Sequence, residues 1–479
     1  MVAQGTVAST LGIMLHRMTL VEMAAQIQAK QISPVELFDA HARRIEALNP
    51  RLKAFLTLRL DRAREEAQAA EQAVMNDAPL GPLHGVPVSI KDSFDVAGLP
   101  TWCGSQFYGQ TAAQDSAAAE RLKRAGAILL GKTNTPEFLA NYESDNHLLG
   151  WTANPWNQER TAGGSSGGEA AALAAGLAAG GVGSDGGGSI RVPAHFCGIA
   201  GLKPTPGRVS AFGHVPPMQH PGGMLGVAGP MARTVRDVEE LFDVLSPHDW
   251  RDPFSAPVLA PGPLTLDDIR IGVMEQFYQV PVQECVRQAI RTAAKAAKDA
   301  GLAVDEFTPQ GWDKAPNVWS FFFTELPSRL TAKFIEGRQD RAHWTGTEFL
   351  ERILQRPAPS WEQMYEMLGE RDRLRRVLLE QMQTVDVLLL PVAGVPAFRT
   401  RERSWPTATK EIGLFQAMMP STAFNLLGFP GLSVPFGFSE DGLPVGVQLV
   451  GRPYEEDLLL DVGLRLEEVR GAFPGPELS

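Results

Sequence analysis

Residues 163–191 read GGSSGGEAAALAAGLAAGGVGSDGGGSIR, with Ser165 and Ser166 in one glycine-rich turn and Ser184 and Ser189 in a second. Glycine clusters let the backbone adopt positive φ and bring its N–H groups close to a ligand. A serine at the edge of such a cluster is a candidate nucleophile beside its own oxyanion hole. That chemistry requires a base.

Histidine is the first base to consider, and the chain has nine. None stands in a context that marks it as one. His195 follows Pro193 and His84 precedes Gly-Val-Pro at a turn, so both read as packed or hydrogen-bonded histidines. The G-x-S-x-G elbow that presents a histidine-activated serine is absent around Ser184 and Ser189. Lysine is the alternative, provided burial and nearby positive dipoles make its ammonium acidic enough to be neutral part of the time. Lys91 fits this requirement, because it ends the apolar run 86–90 in the context HGVPVSIKDSF. Taken alone, a lysine at a strand end beside an aspartate reads as a solvated charge. Cys197, within the apolar run HFCGIAG, reads as core rather than as a thiol nucleophile.

The elements that must position these residues alternate between strand and helix. Residues 19–72 read as helical, with Ser33-Pro34-Val35-Glu36 forming a capping box that has proline at the first helical position. Short apolar runs at 86–90, 126–130, 271–274, 304–307, 387–390 and 446–450 read as strands, and 283–300 and 372–384 as helices. The alanine-rich segment between the two serine turns reads as a helix, and Thr135-Pro136-Glu137 as the start of another. Such alternation predicts an α/β fold, a large mixed central sheet with helices on both faces. The expected organisation is a helical region 1–72 packed on a single α/β/α domain 73–479. The proline-rich stretch 246–264 reads as a loop between segments of one sheet. Residues 310–370, rich in tryptophan and phenylalanine, read as helices packed by aromatic faces that also cap a substrate pocket.

One motif misleads. Residues 126–133, GAILLGKT, match the phosphate-loop pattern GxxxxGK[ST]. A phosphate loop follows its strand and opens into a helix, whereas Ala-Ile-Leu-Leu here demand burial as the strand itself.

Composition narrows the partners. With 44 Lys+Arg against 55 Asp+Glu, the net charge of −11 has the wrong sign for attraction to nucleic acid or anionic lipid. The three cysteines are scattered, which argues against a disulfide framework and a structural zinc site. The N-terminal stretch MVAQGTVASTLGIMLHRM lacks the basic start and apolar core of a signal peptide. The chain is therefore expected to be cytoplasmic and to need no membrane, metal or cofactor.

The strings GPLHGVPVSIKD, TANPWNQERTAGGSSGGEAAAL, GSDGGGSIRVPAHFCGIAGLKPT and GLPVGVQLVGRPYEEDLLL resemble the amidase signature family in order and spacing, from about residue 19 to 467. The resemblance implies that Lys91 is the base, Ser165 a bridging residue on a cis peptide, and Ser189 the acylated nucleophile. The residues alone leave Ser165 and Ser166 open, and the motif selects Ser165. Neutral Lys91 would take a proton from Ser165, and Ser165 one from Ser189 as it attacks the carbonyl carbon; the relay then protonates the leaving amine, and water releases the acyl group. Backbone N–H groups of Gly186, Gly187, Gly188 and Ser189 would hold the oxyanion. Ser166, Asp185 and Arg191 would support the loop, and Asp92 would brace the lysine. Family members usually carry another residue at the position of Gly186, so the triple glycine is expected to open the acyl side of the pocket.

The implied activity is hydrolysis of C–N bonds in linear amides. The substrates would be small aryl or alkyl amides or the related carbamates, as in aryl acylamidases or urethanases, and the arrangement leaves room for a homodimer. The alternative within the family is the glutaminase-like A subunit of a tRNA-dependent amidotransferase, which would need partner subunits. The stretch AFGHVPPMQHPGGMLGVAGPMART departs from what that component implies. An inactive scaffold on the same fold is disfavoured because all three catalytic positions are intact.

Overall fold

The computed structural model describes residues 15–218, 225–258 and 269–478. Its centre is an eleven-stranded sheet. The strands are β1 (Phe55–Leu58), β2 (Pro87–Lys91), β3 (Ile128–Thr133), β4 (Gly180–Asp185), β5 (Ala200–Lys203), β6 (Val227–Ala232), β7 (Arg270–Val273), β8 (Ala303–Glu306), β9 (Val387–Pro391), β10 (Gly431–Phe438) and β11 (Pro444–Val450). Across the sheet they run β1-β3-β2-β4-β6-β5-β10-β11-β9-β7-β8. β2 lies parallel to both β3 and β4, β9 to β7 and β7 to β8, whereas the remaining neighbours are antiparallel. The sheet is mixed and helices cover both faces, as the alternation of patterns predicts.

Local rules explain much of this. Ser33 caps the helix Pro34–Leu52, with its own N–H donating to Glu36 at 3.0 Å and Pro34 in the first turn. Strands β2, β3 and β9 are buried along their whole length, which is why their sequences are nearly continuous apolar runs.

Tertiary pairing overrides the local signal in several places. Residues 19–72 are not wholly helical. Phe55–Leu58 forms β1, which pairs antiparallel with β3 and extends the sheet by one strand, between the helices Pro34–Leu52 and Leu60–Met75. The alanine-rich helix is shorter than its composition suggests, covering Gly167–Ala174. The run then turns and continues as β4, whose sequence GGVGSD has little strand propensity and is held by β2 on one side and β6 on the other. Thr135-Pro136-Glu137 opens only a single 3₁₀ turn, Glu137–Leu139, because Phe138 takes a left-handed conformation (φ 56°). The helix expected near 372–384 starts earlier and spans Trp361–Gln381.

Of the phosphate-loop look-alike, Gly131, Lys132 and Thr133 lie inside β3, and Lys132 forms a buried ion pair with Asp92 at 2.8 Å. The described part of the proline-rich stretch is not helical beyond Leu245, and residues 259–268 lie outside the described residues. β6 and β7, on either side of it, belong to one sheet. Most of the N-terminal stretch read for a leader, residues 1–14, also lies outside them. Among the described residues no helix is long and apolar enough to cross a membrane.

Candidate active site

Lys91 is the last residue of β2, and its side chain is fully buried. Its Nζ lies 2.7 Å from Ser165 Oγ, 2.9 Å from Ser184 Oγ and 3.3 Å from the Ser184 carbonyl oxygen. Burial pushes the ammonium down to about 7, although the Asp185 carboxylate works in the opposite direction. Burial thus favours the neutral amine on a side chain that is hydrogen-bonded to a serine. Behind it lies Glu169, pushed up to about 7 by burial and accepting hydrogen bonds from Ser89 and from Thr133 (2.7 Å).

Ser165 follows a cis Gly164–Ser165 peptide bond, and its carbonyl accepts from Thr135 Oγ1 at 2.7 Å. Ser166 does not reach Lys91. Its Oγ is 3.3 Å from the Ser184 carbonyl and 3.4 Å from the Ser184 N–H, so it ties the turn to the end of β4. The Ser166 N–H donates to the Ser189 carbonyl at 3.1 Å, which joins the two glycine-rich turns side by side. Ser189 sits just before the helix Arg191–Cys197 and is 5 % exposed.

The glycine run is clamped from below and above. The Gly188 N–H donates to Asp185 Oδ1 at 2.7 Å, while the carbonyl of Gly187, the other end of the same peptide unit, accepts from the Tyr142 hydroxyl at 2.6 Å. A planar trans peptide held at both ends cannot rotate. This removes Gly188 from the expected oxyanion donors, because its N–H is already spent on Asp185. The amides of Gly186, Gly187 and Ser189 donate to no protein acceptor among the described residues. Position 188 also needs glycine for its conformation, with φ at 107°.

Asp185 and Arg191 form a fully buried ion pair at 3.0 Å. Burial alone would raise the Asp185 carboxyl, but Arg191 and Asn425 (2.8 Å) hold it well below the usual carboxylate range. Arg191 further donates to the Ser421 carbonyl at 3.0 Å, to Asn425 Oδ1 at 2.5 Å and to Gln448. Every strong donor is matched, which is what makes a buried pair of this kind tolerable. Asp92, raised to about 6 by burial, accepts from Lys132 and from the Trp102 N–H at 3.1 Å, and so anchors the segment after β2.

The other reactive side chains are occupied. His195 lies between the Gly446 N–H (2.7 Å) and the Val395 carbonyl (3.0 Å), and burial lowers it to about 4. His84 bonds the Ala70 carbonyl at 3.0 Å. The Cys197 thiol is pushed up by burial and donates to the Ala162 carbonyl at 3.4 Å.

Over residues 36–460 the sequence matches the Amidase family. The chain belongs to this family. It is 37% identical, over 476 aligned residues, to the A subunit of glutamyl-tRNA(Gln) amidotransferase from Chloroflexus aurantiacus, covering 94% of this chain and 96% of that one. Among solved structures it is similar to an amidase (30% identity, TM-score 0.83, 95% of this chain and 100% of that one). It is likewise similar to a bacterial aryl acylamidase of the amidase signature family (28% identity, TM-score 0.83, 94% and 96%). The chain is thus an amidase signature protein of the C–N hydrolase type, with the family's α/β fold.

Against that background the aromatic-rich segment departs from expectation at one point. The glycine at 186 does not leave an opening, because Phe323 fills the space: a Cβ built on Gly186 would lie 2.7 Å from its ring. Trp319 stacks on Phe323 with centroids 5.1 Å apart and meets Phe415 at 6.0 Å, and Phe415 meets Phe349 at 5.0 Å. Trp319 and Phe323 fall in the segment expected to cap the pocket, whereas Tyr142, Ser184, Glu169 and Asn425 are neighbours of the loop to which sequence reasoning assigned no role. Ser184 was within reach, since it precedes Asp185 at the end of the same glycine-rich strand. Tyr142, Phe323 and Asn425 come from distant segments without a motif.

Proposed function

We propose that this amidase signature protein cleaves amide C–N bonds through an acyl-enzyme on Ser189, with Ser165 and Lys91 carrying the proton to the leaving amine. The observation that carries this reading is the 2.7 Å contact between Ser165 Oγ and a fully buried Lys91 whose ammonium burial has made acidic. Lys91 takes the Ser165 proton, Ser165 takes that of Ser189, and Ser189 Oγ attacks the carbonyl carbon. The amides of Gly186, Gly187 and Ser189 receive the developing oxyanion; one such donor is typically worth about 2.7–4 kcal/mol. Reversal of the relay protonates the departing nitrogen, and water then attacks the ester.

For the substrate, the side chains nearest Gly186 and Gly187 are Phe323, Trp319 and Tyr142, all uncharged. That lining suits small aryl or alkyl amides, and carbamates by the same carbonyl attack, in a stand-alone hydrolase. A second reading has its own support, namely the 37% identity along almost the whole chain to the A subunit of an amidotransferase. Under that reading the substrate is glutamine and the chain works with partner proteins. A free glutamine head carries both charges, and it would require an ion-pairing partner for each beside this aromatic lining.

Amine or ammonia release from anilides, aryl carbamates, primary amides and glutamine, by the wild type and by Ser189→Ala, separates the two. Turnover of anilides or carbamates that is lost in the variant supports the stand-alone hydrolase. Ammonia from glutamine alone overturns it in favour of the amidotransferase component.

A further inference from the structure

Phe323 lies in a π-helical turn, Ser320–Glu325, between the helices Ala315–Trp319 and Leu326–Phe334. Its neighbours Phe321 and Phe322 are buried in the core, so the turn is anchored, whereas Phe323 is only half-buried and keeps part of its ring uncovered. The ring edge rests on the glycine run. Its Cε2 stands 2.7 Å from where a Cβ of residue 186 would be, and its Cε1 3.4 Å from that of residue 187. Trp319 Cζ2 and the Tyr142 hydroxyl stand 3.2 and 3.3 Å from the latter point and complete the wall. A side chain at 186 and the phenyl ring at 323 therefore compete for the same volume, and a Cβ at 186 would force the ring to move.

The position matters because of what the run carries. Residues 186–189 hold the unengaged amides for a carbonyl oxygen and, three residues along, the nucleophile. On the acyl-enzyme reading, a group covering Gly186 stands beside the amides that would receive the oxyanion and so borders the acyl substituent on Ser189. Glycine at 186 thus transfers that boundary from the catalytic loop, which is locked by Asp185 and Tyr142, to a ring carried by a separate helical segment. Irregular π-turns of this type frequently mark functional positions in helices.

We propose that Phe323 is the specificity-determining residue of this site, supplying from the aromatic-rich segment the wall that position 186 lacks, and selecting acyl groups that are small or flat at the α carbon, such as acetyl or aroyl, over those branched there. This inference rests on the acyl-enzyme reading above, but it holds for either the stand-alone or the amidotransferase form of it. A flat acyl group presents little bulk to this ring edge, whereas the quaternary α carbon of a pivaloyl group projects a methyl against it.

Acylation of Ser189 by p-nitrophenyl acetate, benzoate and pivalate, followed as p-nitrophenol release, tests it without requiring a known amide substrate. Phe323→Ala is expected to raise the pivalate-to-acetate ratio of kcat/KM about tenfold or more, the size of effect that one or two methyl groups produce in an apolar pocket. Phe323→Leu, which keeps most of the volume, should move it less and serves if the alanine variant folds poorly. Gly186→Ala should slow all three esters, and Gly186→Ala/Phe323→Ala should recover much of that loss. A ratio unchanged in both Phe323 variants, or effects at 186 and 323 that simply multiply, would overturn the inference while leaving the acyl-enzyme intact. Absence of Ser189 acylation by every ester would overturn the acyl-enzyme reading itself, and this inference with it.

Discussion

The glycine-serine floor and the aromatic-rich segment above it are built on opposite principles. In the floor, residues 163–191, nearly every position is buried, side chains are minimal, and the backbone bonds to fixed partners such as Asp185, Tyr142 and Thr135. Residues 310–360 fold as short helices joined by irregular turns, and the longer helix Trp361–Gln381 follows. Trp361 and Tyr365 are 74 % and 73 % exposed, whereas Phe322 and Trp312 are buried. The lesson is a division of labour. Where reacting atoms must be held to a fraction of an ångström, the chain uses peptide groups and tightly paired charges. Where a substrate is proposed to fit, the chain uses rings carried by a separate segment.

Substitutions in the floor should therefore be severe and those in the upper segment graded. Ser189→Ala should lower turnover of any substrate by at least about 10⁴-fold with an unchanged circular dichroism spectrum, as loss of a nucleophile does in other serine enzymes. Residual activity within tenfold of wild type would move the nucleophile elsewhere.

Arg191→Leu should destabilise the protein by about 3–5 kcal/mol, because it leaves the Asp185 carboxylate buried without its cation. Denaturant unfolding reads this directly; a change below about 1 kcal/mol would show that the floor is less rigidly specified than its hydrogen bonds indicate.

The base gives a pH signature. In the proposed mechanism neutral Lys91 is the active form, so kcat/KM should rise with pH through about 7 and level off above it. Lys91→Met should lose about 10²–10⁴-fold, the usual share of a general base, and lose that rise as well. A wild-type profile that falls through the same range would rule out neutral lysine.

Tyr142→Phe frees one end of the clamped Gly187–Gly188 peptide. The expected cost in stability is about 1–3 kcal/mol for an unpaired buried carbonyl. In addition kcat should fall more than KM changes, since the peptide orients the amides around it. At the mild end, Trp361→Ser should shift stability by no more than about 0.5 kcal/mol and leave kcat/KM unchanged, as exposed positions do.

The same contrast explains what is legible without coordinates. Lys91 and the serines of the two glycine-rich turns are candidates by residue type, the family resemblance selects Lys91, Ser165 and Ser189 among them, and the strands β2, β3 and β9 are marked by apolar runs. The sheet contribution of Phe55–Leu58 is hidden because four residues between two helices carry no strand period of their own; only β3 makes them a strand. The Gly188 amide reads as an oxyanion donor because nothing in GSDGGGSIR says that Asp185 turns back onto it.

By itself, the sequence determined the family, the α/β alternation and the chemistry on offer, because these depend on residue type and local spacing. Only the tertiary structure decided which amides stay free and that Phe323 occupies the space vacated at Gly186. The first depends on how a short turn closes back onto Asp185, and the second is a contact between segments far apart in the chain. Their distances follow from how strands and helices pack, and no local pattern of residues encodes them.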